Sequence, residues 1–140
     1  MATINATGFE TALKGFDRMA QRGMTRRIVE AGAGVLDRMM REATEMRQHV
    51  RTGDMLAAIG PSDYKEGLGW GEQSVYPQGM DREGERNATK MYVINYGRGK
   101  KKRRGKMGDQ FITGIEPEME TAAQEAMQAE SDALIEEING

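Results

Sequence analysis

KMYVINYG (Lys90–Gly97) is the stretch on which the fold turns. Tyr92, Val93 and Ile94 follow one another, Tyr96 comes next but one, and Gly97 ends the run. A short segment rich in β-branched and aromatic side chains and closed by glycine reads as a strand, the clearest in the chain. Upstream, GLGWGEQSVYP (Gly67–Pro77) supplies one or two further short strands, and PQGMDREGERNATK (Pro77–Lys90) reads as a mobile polar excursion between strands. Nine of the 18 glycines fall between Gly67 and Gly108, which sets this loop-rich middle apart from the two ends.

The ends carry helical periodicity. Phe9, Leu13, Phe16 and Ala20 form one apolar stripe, with Thr7 as its expected N-cap. Met24, Ile28, Val35, Met39, Met46 and Val50 form a second. Gly23 separates the two, so the spacing predicts two consecutive helices or one broken there; Gly32 and Gly34 either weaken the second or admit a close neighbour. Thr52 is placed to cap a short helix carrying Met55, Leu56 and Ile59, stopped by Gly60-Pro61. At the other end Pro117 fits only a first turn, fixing a helix start near Glu116. Ile115, Met119, Ala122, Ala126, Leu134 and Ile138 share a side of that helix, with Met127 at its edge. The expected fold is α+β: a helical region over 7–50, a short helix and a small, mostly antiparallel sheet over 51–97, a loop over 98–110 and a helix over 111–138, all in one domain spanning 1–140.

Charge is segregated along this plan. The chain holds 20 Lys and Arg against 22 Asp and Glu, for a net charge of −2. Seven of those cations, Arg98, Lys100, Lys101, Lys102, Arg103, Arg104 and Lys106, lie within nine positions. From Glu116 onward there are eight acids and no Lys or Arg, so Glu130, Glu136 and Glu137 stand on a helix with no local cation and are the expected acidic partner surface. The basic run has three readings: a salt-dependent DNA contact, an inter-subunit contact with an acidic neighbour, or a solvated loop extended by self-repulsion. It lacks an aromatic residue for base stacking and does not read as a basic helix.

Signals for catalysis are absent. There is no cysteine, hence no disulfide framework, thiolate metal site or Cys nucleophile. His49 is the one histidine and falls at a predicted helix end. Asp81, Glu83 and Glu85 are interleaved with Arg82 and Arg86, as in a solvated loop, and Ser62, Ser74 and Ser131 lie in no nucleophile-elbow context. No catalytic residue, metal ligand or cofactor is expected. With no long apolar run and no leader-like N-terminus, the chain reads as a soluble intracellular product. Of the twelve methionines, Met39, Met40, Met80, Met91 and Met107 are the ones read as possible subunit contacts; the others sit at core spacing.

The order of these pieces resembles the neck and tail-completion family of lambda-like siphophages. The likeness rests on Thr52, Gly53, Leu56, Ala58 and Ile59, on a strand ending in the run from Tyr92 to Gly97, and on Phe111 opening the last helix. It covers roughly residues 8–138. The chain departs from the pattern in having no proline shortly before Thr52, Ala58 in place of a serine, and Gln110 in place of a proline. The resemblance implies a non-enzymatic virion protein of the head–tail junction, assembled in the bacterial cytoplasm. Its copies would close into a ring, expected to be a hexamer, between head connector and tail tube or terminator proteins, with DNA in the channel and no membrane. The alternative from another class is a nucleic-acid-binding module using residues 98–106.

Overall fold

The computed structural model describes residues 2–7, 18–47, 52–97, 108 and 110–139. It shows an α+β fold in which a long N-terminal helix packs on a small antiparallel sheet and the C-terminal helix packs along that helix, not on the sheet as expected. The sheet is built around β4 (Trp70–Pro77). β1 (Ala2–Thr7) pairs along one edge, with Ala2 opposite Val75 and Thr7 opposite Trp70. The other edge is shared by β2 (Ile59–Pro61) and β3 (Lys65–Gly67), so both flank β4 in series. Between them Ser62 keeps the edge closed: its amide bonds the Ser74 carbonyl at 2.7 Å, and its hydroxyl accepts from the Ser74 amide at 3.0 Å.

Burial alternates strictly along β4, with Gly71, Gln73, Val75 and Pro77 on the covered face. That alternation is the signature of a sheet packed on one side only. The covering element is α1 (Arg18–Met46), which touches β1, β2 and β4 and packs along α4 (Glu116–Asn139). Its buried stripe runs through Val29, Ala33, Leu36, Met40 and Ala43, a helical spacing that excludes water from the centre of the molecule. Phe111, Ile112, Met119 and Ala123 close the same core from the C-terminal side.

Several expectations are corrected. Lys90–Gly97 is not a strand: α3 spans Asn87–Tyr96 and Gly97 follows it. Its buried residues are Asn87, Met91 and Asn95, four apart, and two of them are amides, so an apolar period could not reveal the helix. α1 passes through Gly23 without a break, because that position is exposed and the backbone there needs no special geometry. Thr7 closes β1, and the start of the helix it was expected to cap lies outside the described residues. The α1 stripe also sits beside the expected one, since Met46 is exposed while small Ala33 and Ala43 are buried.

α2 is Asp54–Ala58, and Ile59 opens β2, so Gly60-Pro61 belongs to a strand and stops no helix. Residues 78–86 join a strand to a helix and are tied down. Met80 and Arg86 form a β-bridge, and Arg82 grips Asp54 with Nε at 2.9 Å and Nη2 at 2.8 Å. On α4 the buried residues are Met119, Ala123, Met127, Ser131 and Leu134, while Ile138 is exposed. The start at Glu116 stands as expected, preceded by a 3-10 turn at Thr113–Ile115. Phe111 precedes both and is a buried anchor before the helix. Phe9, Leu13, Phe16, His49 and Val50 lie outside the described residues.

Candidate interaction surfaces

Of the residues carrying the motif, some build structure and some face outward. Gly53 has φ 85°, a left-handed conformation that only glycine adopts without strain, and it turns the chain into α2. The Thr52 hydroxyl accepts from the Asp54 amide at 3.3 Å. The Asp54 carboxyl is held well below the usual carboxylate range, first by the Arg82 side chain and then by the Arg82 amide. Ile59 and Phe111 are core residues, and Leu56 packs half-buried against that core. Gly97 ends α3 at φ 84°, its amide bonding the Val93 carbonyl at 2.7 Å.

Asn95 fixes the entry to the last helix. Its Oδ1 accepts from the amides of Ile112 and Thr113 at 3.0 and 3.1 Å, and its Nδ2 donates to Thr113 Oγ1 at 2.8 Å. One buried amide thereby satisfies donors that would otherwise be orphaned where the chain returns to the core. On the opposite side of α3, Tyr92 and Tyr96 are exposed and stacked at a tilt, with ring centroids 4.8 Å apart.

The acidic helix divides into two halves. Toward its C-terminus Arg27 of α1 bridges Glu130 at 2.9 Å and Glu137 at 3.2 Å, so these acids do have a cation within the chain, contrary to expectation. Glu136 is exposed. In the N-terminal half, Glu116, Glu118, Glu120 and Glu125 are exposed, and none pairs with a cation among the described residues. The first two suit the positive end of the helix dipole.

Beside this second group lies an open groove of about 450 Å³ between β1 and α4. Leu36, Ile112, Met119 and Met127 are buried and form its floor, with Ile4 of β1 at the side. Glu116 and Glu120 stand exposed at its rim, with Gln124 and Thr3. β1 pairs only with β4 among the described strands, so its outer edge faces no strand there.

The sequence-predicted basic residues Arg98, Lys100, Lys101, Lys102, Arg103, Arg104 and Lys106 all lie outside the described residues, as does Met107. Of the other methionines read as contacts, Met40 and Met91 are buried in the core, Met39 packs against it, and Met80 is exposed. The Asp81 cluster is structural: its carboxylate pairs with Lys90 and accepts from the amides of Glu83 and Glu85, each at 2.8 Å. Lys90 and these backbone bonds hold the Asp81 carboxyl below its ordinary value. Among the described residues no group of three or more His, Asp or Glu side chains is placed to hold a metal ion, and no helix is long and apolar enough to cross a membrane.

Arg27, the groove and the tyrosine pair were not singled out from sequence. The i, i+4 spacing of Tyr92 and Tyr96 was the one readable sign, and it was hidden by the strand reading. No family model matches the chain, and no curated protein or solved structure is detectably similar to it.

Proposed function

We propose that this chain is a non-enzymatic structural subunit of a phage head–tail junction, a neck or tail-completion component whose copies close into a ring. The observation that supports it most is the division of charge. α4 presents four exposed acids with no cation partner among the described residues, while seven cations crowd residues 98–106 of the same sequence. A ring needs a heterologous interface, in which one surface of each subunit meets a different surface of the next. Opposite charges held on separate parts of one chain suit that requirement and set the register of contact. Native mass spectrometry and negative-stain imaging of the purified protein test the reading. Closed oligomers, or density at the neck of assembled particles, are expected; a monomer that joins neither connectors nor tails would sink it.

The exposed Tyr92 and Tyr96 favour a second reading, nucleic-acid binding. Their rings offer the aromatic surface that the basic run itself lacks, only two residues before Arg98. Under this reading, changing Lys100, Lys101, Lys102, Arg103 and Arg104 to Ala flattens the dependence of DNA affinity on salt. An unchanged slope removes the run from any DNA contact.

A further inference from the structure

We infer that the groove between β1 and the first half of α4 is the docking site for an extended lysine- and arginine-rich segment, supplied by residues 98–106 of a second copy of this chain. The inference rests on the ring reading and specifies its interface. Three features define the occupant. The floor is apolar and contains Met119 and Met127, whose unbranched side chains repack readily around an incoming chain. The rim carries Glu116 and Glu120, neither paired with a cation among the described residues. An apolar floor below a carboxylate rim fits the side chains of Lys and Arg, whose methylene stems cover apolar surface while their charged heads reach outward. One wall is the outer edge of β1, whose backbone can hydrogen-bond an extended chain. The chain itself contains one dense cationic run to match this surface.

The site is separate from Glu130 and Glu137, which Arg27 already bridges. This separation gives a direct test. A labelled peptide of sequence GRGKKKRRGKM (residues 97–107) is titrated against the full-length protein whose own Lys100, Lys101, Lys102, Arg103 and Arg104 are changed to Ala. Fluorescence anisotropy should show saturable binding. Adding Glu116→Lys and Glu120→Lys should weaken it by at least about tenfold, whereas Glu136→Lys should change it by less than about twofold. Both sets of substitutions are at exposed positions, and circular dichroism checks that the fold persists. Amide resonances of Thr3 and Ile4 should move on titration.

No binding, or equal loss with Glu136→Lys, overturns the inference. So does self-association through β1 that excludes the peptide. Rings that form while the peptide ignores the groove would defeat this inference and leave the neck reading standing. Peptide binding in the groove by a chain that never forms rings would do the reverse.

Discussion

β4 and α3 invite comparison because α3 is the richer of the two in β-branched and aromatic side chains, yet β4 is the strand. In β4 the period of two is visible in what is buried: Gly71, Gln73, Val75 and Pro77 face α1 while Glu72, Ser74 and Tyr76 face away. In α3 the buried residues recur every four, and the chemistry that holds them is mostly polar. Asn95 bonds three groups in residues 112 and 113, and Asn87 donates from Nδ2 to the Gln78 carbonyl at 2.9 Å. Local propensity lost to hydrogen bonds that exist only once distant segments meet. A segment's letters state what its side chains prefer; the partners of its buried polar groups decide which preference is honoured.

The largest break of this contrast should come from Asn95→Leu. It keeps bulk but strands the buried Ile112 amide and the Thr113 amide, and should cost about 2–4 kcal/mol in urea unfolding. If the loss were below about 1 kcal/mol, polar anchoring would not be what holds α3. Val75→Ala, in the centre of β4, removes apolar volume alone and should cost about 2 kcal/mol. Tyr92→Lys sharpens the comparison at its small end: on the exposed side of a helix it should change stability by no more than about 0.5 kcal/mol. A large loss there would restore the strand reading.

The connector between the two elements adds a pH signature. Asp81 has a carboxyl pKa lowered in the folded state by Lys90 and by the Glu85 and Glu83 amides. A depressed folded pKa gives stability that is present above the unfolded value, about 4, and lost as pH falls through the folded one. Thermal midpoints should therefore fall as pH drops below about 4, and Asp81→Asn should reduce that dependence. An acid limb unchanged in Asp81→Asn would show that the pairing contributes nothing to folding.

Most of the frame was legible from the sequence for plain reasons. α1 and α4 repeat apolar residues at helical spacing, Pro117 marks the start of α4, and Gly67–Pro77 reads as strand, although the alternation along β4 is one of burial and not of polarity. The α+β class survived even though the segment chosen to justify it is helical, because β4 and its partners supply the sheet instead. β1 was missed because Thr7-Gly8 looked like the start of a helix, and nothing in six residues announces a partner some seventy positions away. The acids of α4 were seen as a group, but that Arg27 bridges Glu130 and Glu137 while Glu116 and Glu120 stand at the groove depends on how α1 crosses α4. No reading of a single segment contains that crossing.

Gly32 sits at that crossing. A side chain there would stand 2.8 Å from Met127 Sδ and 3.2 Å from Ile4 Cγ2, so β1, α1 and α4 converge on a point where one hydrogen fits and a methyl group crowds. Gly34, two residues on, meets nothing within 4 Å. The two glycines therefore have different evolutionary freedom. Position 34 can drift alone toward any good helix former. At position 32 a larger residue requires the Met127 side chain to swing aside and Ile4 to yield slightly. Because Met127 and Ile4 also line the groove, any such exchange would reshape the surface offered to a partner, tying the interior's packing to the molecule's choice of company.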